Sequence, residues 1–267
     1  MTDTDMLHTA PAPKKCPVAH HDNQAAAAHG PGYGLMRVSQ VERDYPSHTA
    51  LASVLDWMRG FLARSHPELG RKGAVCPFVP LALEQDSIWM AEIAEREPTL
   101  DSISRVILYY RDLFLATEPT SGPDAINKAF LVIFPNLGAA GAGVVDEVQQ
   151  LLKKDFVEKG LMLGEFHASN ESPGLRNADF RPLRSPIPML AMRHMVDSDL
   201  PFLLRSAYAA PVRAAYLRAY LFRLAGSLGW SRFEQALDGV VAAEIEQWQA
   251  RLDDAGRLGE LGAGDAA

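Results

Sequence analysis

The chain has 267 residues, 48% hydrophobic and 22% charged, with 26 Lys and Arg against 33 Asp and Glu for a net charge of −7. That length fits one large domain or one and a half, and the composition allows a substantial core and excludes global disorder. A net acid is a poor general nucleic-acid binder, since phosphate attraction would have to come from a local patch; two cysteines exclude a disulfide framework, and four Cys/His ligands at the ordered spacing of a structural zinc site are not present.

Residues 1–45 read as a disordered tail. They hold four of the eight histidines (His8, His20, His21, His29), the run Ala25–Ala28 and Gly30-Pro31-Gly32, with no helical or strand period. His20-His21 beside Cys16 could hold a metal loosely, against solvated disorder. The start, Met1-Thr2-Asp3-Thr4-Asp5, shows no secretory signal. Apolar runs such as Ala129–Phe134 fall far short of the roughly 18 residues of a membrane span. A cytoplasmic protein with no membrane contact is expected.

A single domain is expected over 46–252. Leu51, Val54, Leu55, Met58 and Leu62 follow helical spacing, with Ser47 as N-cap, until His66-Pro67 and Gly70–Gly73 end the helix. Ala74–Pro80 is too proline-rich for a central strand and reads as a rigid connector. Ser87–Ile93 suits a short strand, though Ile88-Trp89-Met90 would also suit a helix. Leu100–Ala116 is a helix with Leu100, Ile103, Val106, Ile107, Tyr110, Leu113 and Phe114 on one stripe. Ala129–Phe134 is an apolar strand of the kind buried on both faces. A glycine turn, Gly138–Gly143, leads into a helix through Val144, Val148, Leu151, Leu152 and Phe156, closed by Gly160. Leu161–His167 and Ile187–Met195 are strands. Ala207–Leu228 and Ser231–Leu252 are the last helices, and 253–267 a disordered tail. The order specifies an α+β fold: a small mixed or antiparallel sheet covered by helices, with a C-terminal helical hairpin.

The glycine turn follows a buried strand and precedes a helix, the context of a phosphate site, and Glu165 falls about twenty residues on, where a ribose-binding acid would sit. Its spacing is G-x-x-G-x-G rather than G-x-G-x-x-G, so a flexible connector is the competing reading. The segment 163–202 is richer. A strand runs out at His167 into a long loop whose Phe180, Leu183 and prolines would pack and stiffen it while presenting Arg176, Arg181 and Arg184. His167, at a strand end, could ligate a metal or heme iron, act as a base, or be a hydrogen-bonded strut. Arg181 and Arg184 could hold a carboxylate or heme propionates, or pin the loop by ion pairs. Arg193 and His194 should lie on opposite faces of their strand, so only one can share a pocket with His167. Cys76 is a buried, inert cysteine or a soft ligand to iron. Arg213, Arg218 and Arg223, interleaved with Tyr208, Tyr216 and Tyr220, read as a solvated or salt-bridged face rather than a nucleic-acid surface.

The stretch Cys76-Pro77-Phe78-Val79-Pro80, followed by Gly164-Glu165-Phe166-His167, Gly174-Leu175-Arg176-Asn177, Phe180-Arg181-Pro182-Leu183-Arg184-Ser185-Pro186 and Arg193-His194-Met195-Val196, resembles a bacterial and fungal family known only as a domain of unknown function. The resemblance covers about 50–205. More distantly the chain is similar to the YqcI/YcgG family, some members of which are heme-dependent N-hydroxylases of guanidino groups. Val79 departs from the small residue that follows Cys-Pro-Phe there.

That similarity implies a heme-dependent oxygenase or N-hydroxylase of a natural-product pathway. Its iron would sit on His167, or on Cys76 or His194, and Arg181 and Arg184 would anchor propionates or a substrate carboxylate. The alternatives are a non-catalytic heme- or metabolite-binding accessory protein and a nucleotide-dependent enzyme built on Gly138–Gly143. The partners expected are a small-molecule substrate and, as an option, a second copy of the chain in a homodimer.

Overall fold

The computed structural model describes residues 34–264, and the side chains of all of these except 139, 140 and 255–264. Order starts earlier than the sequence suggested. Strand β1 (Leu35–Arg37) and helix α1 (Val38–Asp44) occupy part of the expected tail, because Val38 and Val41, three apart on one helix face, find apolar cover and are buried.

Helix α2 (Ala50–Trp57) is capped by Thr49, whose side chain accepts from Ala52 N, rather than by Ser47, and it widens into a π turn at Met58–Leu62. The proline-rich connector is non-helical through Phe78, and its last two residues open a short helix, α3 (Val79–Glu84), with Pro80 in the first turn, where a missing N–H costs nothing. Strand β2 (Ile88–Glu92) follows. Helix α4 (Leu100–Ala116) has a reciprocal cap between Thr99 and Ser102 and buries Ile103, Val106, Ile107, Tyr110 and Phe114.

Strand β3 (Ala129–Ile133) leads into the glycine segment, which is helical: α5 (Gly138–Gly141), then α6 (Gly143–Glu158). Strand β4 (Leu161–Phe166) returns antiparallel to α6, and the long loop joins it to β5 (Met189–His194). Helices α7 (Leu200–Leu203), α8 (Ala210–Leu224) and α9 (Trp230–Gly264) complete the chain. Helix α9 runs on through 253–264, so the expected C-terminal tail is helical for most of its length.

The sheet is mixed, in the order β1-β2-β3-β5-β4, with β2 and β3 parallel and the other neighbours antiparallel. Strand alternation divides the core. Phe130, Val132, Leu161, Leu163, Leu190 and Met192 face α4 and α6. Leu131, Ile133 and Met189 face α1, α2 and α3. The α+β fold with a C-terminal helical pair is therefore as the sequence indicates. No helix among the described residues is long and apolar enough to cross a membrane.

Candidate functional site

The site grows from the antiparallel meeting of α6 and β4. Along α6, Val145, Val148, Leu152 and Phe156 are buried in the sheet core. The adjacent positions Asp146, Gln149 and Gln150 recur at the same helical interval, so they line up over edge strand β4. Gln149 Nε2 donates to Leu163 O at 3.1 Å, satisfying a carbonyl on that edge. On β4, Leu161, Leu163 and Glu165 share a face. The C-terminal end of that face therefore places a carboxyl under the first turn of α6.

These residues, with Asn170, Glu171 and Ser172 of the loop, enclose a cavity of about 290 Å³. Burial, above all, and the nearby Asp146 charge raise the Glu165 carboxyl above its ordinary range. The Ser172 hydroxyl, 3.4 Å from Oε1, and Lys153 pull the other way.

His167, one step past β4, is 3% exposed. Its Nε2 lies 3.1 Å from both Asp146 carboxylate oxygens, and its Nδ1 lies 3.0 Å from Ser169 Oγ. The carboxylate favours the proton on Nε2, so in the neutral ring Nδ1 accepts from the Ser169 hydroxyl. Both ring nitrogens are engaged.

The loop is tied down rather than loose. Asn170 N and Ser185 N both donate to His167 O, Gly174 N donates to Phe180 O at 2.8 Å, and Asn177 Nδ2 donates to Glu68 O at 2.9 Å. Gly174 is required: a Cβ there would meet Asn177 O at 3.0 Å. Arg181 and Arg184 converge on one carboxylate, Glu171, which their hydrogen bonds hold below the usual carboxylate range. Arg184 Nε also donates to Asn170 O at 3.1 Å. Beside them Trp57, Phe61, His66 and Phe180 line a second, more open recess of about 370 Å³. Glu171 stands between the two.

The residues nominated from sequence thus fall into two groups. His167, Arg181 and Arg184 belong to one neighbourhood. His194 and Cys76 do not. β4 and β5 pair Phe166 with Met189 and Leu161 with His194, so His194 sits at the opposite end of the sheet, roughly 17 Å along the strand. There it packs on Phe114, ring centres 4.9 Å apart, and burial together with the Lys128 charge lowers it to about 4. Cys76 lies at that same end, within electrostatic reach of Arg193, whose guanidinium stacks 5.0 Å from the Phe78 ring. Arg193 and His194 do occupy opposite faces.

The heme reading does not fit this arrangement. His167 offers iron no free nitrogen, the two alternative ligands are a strand length away, and the arginines are committed to Glu171. No group of three or more His, Cys, Asp or Glu among the described residues is placed to hold a metal ion. Cys16 and His20-His21 lie outside the described residues. The nucleotide reading fares no better. Strand β5 lies between the parallel pair β3 and β4, unlike the adjacent strands of a dinucleotide fold, and Asp146 occupies the first turn of α6, where phosphate would have to approach. Arg213 and Arg218 form ion pairs with Glu246 and Glu244, and Arg223 donates to Glu158 O.

Sequence reasoning missed Asp146, Gln149, Gln150 and Glu171. The signal for the first three was present as a polar stripe beside the apolar one on α6. Glu165 was singled out, but for a ribose.

What these observations define is an α+β protein with a polar, carboxyl-bearing cavity at one end of a mixed sheet. The chain belongs to the family described as Domain of unknown function (DUF6875), whose family model matches residues 51–229. No curated protein and no solved structure matches the chain.

Proposed function

We propose that the chain is a small-molecule enzyme that works by general acid–base chemistry in the cavity between α6, β4 and the loop, with Glu165 as the acid. The observation that carries this reading is a half-buried carboxyl, held above its ordinary range, facing a cavity of substrate size beside the Asp146–His167 pair. Protonated Glu165 donates its O–H to a basic or carbonyl-like group of the substrate. Lys153 and the Ser172 hydroxyl then stabilise the carboxylate that forms. Gln149, Gln150 and Asn170 supply amides to orient a polar substrate.

Ser169, His167 and Asp146 stand in the order of nucleophile, base and acid. Ser169, however, does not line the cavity, so the work of this chain is to hold Asp146 and the β4 end in place. The charges argue for a dipolar substrate. Asp146 and Glu171 bring negative charge to the cavity wall, and the positive charge beside it, Arg181 and Arg184, lines the neighbouring recess and is paired with Glu171, so the positive end of such a substrate faces Asp146.

A heme-dependent oxygenase, as the distant resemblance implies, would have to hold its iron at Cys76 or His194, a strand length from Arg181 and Arg184. The accessory-protein alternative uses the same cavity and differs in turnover alone.

The test is a thermal-shift screen of amino acids, amines and amides against the whole chain, followed by product analysis on each hit. Glu165→Gln is expected to keep the shift and lower turnover at least about 100-fold. Wild-type turnover should fall as pH rises through the raised Glu165 titration. Hits that shift the protein but are never converted would make it a binding protein. Hits indifferent to both Glu165→Gln and Asp146→Asn would remove the site.

A further inference from the structure

Helix α9 is the longest element, about 52 Å against about 22 Å for its partner α8. It packs on α8 through small residues. Ala236 and Ala243 are buried, and a Cβ at Gly239 would come within 2.6 Å of Leu204 Cδ2 and 2.8 Å of Leu217 Cδ1. Ala243 meets Ala210, the first residue of α8, so Trp248 and Leu252 extend past the end of α8. On the side of α9 away from that seam runs a second stripe: Trp230, Leu237, Val241, Ile245, Trp248 and Leu252. Trp230 is 75% and Trp248 60% exposed, and the four aliphatic residues are 44–51% exposed. The spacing of four, four, three and four from Leu237 onward is that of a helix face built to be covered. A stripe of this size is far beyond scattered surface hydrophobics.

We propose that a second copy of this chain covers the stripe, α9 against α9, in an antiparallel two-fold pair. The area carries the choice of occupant. The stripe exposes roughly 700–800 Å² of apolar surface, close to the ~800 Å² per partner of a stable interface. A two-fold contact uses one patch twice, and this patch fits itself. With the axis between Glu244 and Ile245, Leu237 meets Leu252 of the second copy and the small Val241 meets the large Trp248. A parallel pair would set Trp248 on Trp248. Glu244, nearest the axis, is already neutralised by Arg218 within its own chain. The overhang past α8 then has a purpose: it lies against the hairpin of the other copy.

Sedimentation of the full chain at about 10 µM should give twice the 29.2 kDa chain mass. Val241→Glu with Trp248→Glu should raise the dissociation constant at least about 100-fold while the far-ultraviolet circular dichroism stays unchanged. For the register, the two Leu237 residues of an antiparallel pair are roughly 22 Å apart. Under mild oxidation Leu237→Cys together with Leu252→Cys should cross-link beyond the wild-type background, and Leu237→Cys alone should not. Cross-linking of Leu237→Cys alone would overturn the antiparallel arrangement. A wild-type monomer would overturn the pairing itself. In that case slow alkylation of Ile245→Cys would assign the stripe to another segment of the same chain, and fast alkylation to a different partner.

Discussion

The two ends of the sheet carry similar side chains and treat them differently. At the C-terminal end of β4, Asp146 and Glu165 line one cavity and Arg181 and Arg184 another, with His167 packed behind them. At the opposite end, Lys128, His194, Arg193 and Asp199 are packed into the fold. Lys128 is fully buried, with Nζ donating to Phe114 O and Thr117 O, the last carbonyls of α4. Arg193 grips Asp199 through two bonds of 2.8 and 2.6 Å, and Asp199 also accepts from Val196 N. The difference separates structural charge from chemical charge. A buried ion whose bonds are all spent on its own fold anchors an element. A half-buried carboxyl with spare capacity beside a cavity is placed to act on something else.

The sharpest way to break that distinction is to cut the dry end. Asp199→Ala leaves Arg193 without its carboxylate and Val196 N–H without an acceptor. A loss of about 3 kcal/mol of stability is expected, read from the denaturant midpoint. A loss near zero would mean that the dry end is not an anchor. At the wet end the same kind of cut should run the other way. Between the ordinary carboxyl pKa and the raised pKa of folded Glu165, the native state binds more protons than the unfolded chain, so stability falls as pH rises through that window. Glu165→Gln removes this burden. Above that window it should raise the unfolding midpoint while lowering turnover about 100-fold. A midpoint that falls would class Glu165 with the anchors.

His194 gives a smaller contrast, visible only in acid. Its pKa of about 4 lies below the free-histidine value of 6.5 because burial and Lys128 oppose its charge. The unfolded chain therefore binds more protons between these limits. Stability is full above pH 6.5 and is lost as pH falls toward 4. Partial exposure limits the loss to roughly 1–2 kcal/mol. His194→Leu should flatten that part of the stability–pH curve, and an unchanged curve would assign the acid sensitivity elsewhere.

The fold was legible in the sequence where a period was long and unbroken. Leu100–Ala116 shows seven apolar positions on one stripe, and Ala129–Phe134 has no polar interruption. Both form the elements expected. It was illegible where tertiary cover decides. Val38 and Val41 are too few to show a period, and Pro80 looks like a breaker until it is seen in the first turn of α3. The glycine segment 138–143 reads as a turn because glycine disfavours a helix, yet it forms α5 and the start of α6. The site was half legible. His167, Arg181 and Arg184 announced themselves as polar groups in a stiffened loop, but their partners Asp146 and Glu171 lie outside any motif, and convergence is a property of the fold. That His194 and Cys76 lie at the far end from His167 was illegible for the same reason, since the sequence gives no indication of which end of a strand a side chain shares with another.

The smallest expected effect belongs to Glu171, and it tests whether the loop is held by its charges or by its backbone. Glu171 bridges Arg181 and Arg184, but its side chain is 67% exposed, and a carboxylate in that position is screened by water and salt. The loop keeps other ties when that charge is gone: Arg184 Nε on Asn170 O, Asn177 on Glu68 O, the backbone bonds to His167 O, and Phe180 buried against Phe61 and His66. Glu171→Gln should therefore leave the denaturant midpoint and the rate of proteolysis in the loop unchanged. It should also free two guanidinium groups at the wall between the cavities. Ligands bearing a carboxylate should then bind the variant at least as well as the wild type, with a steeper dependence on salt. A loop that becomes protease-sensitive on this one substitution would show that the wet end, too, depends on its ion pairs for structure, and the contrast between the two ends would fail.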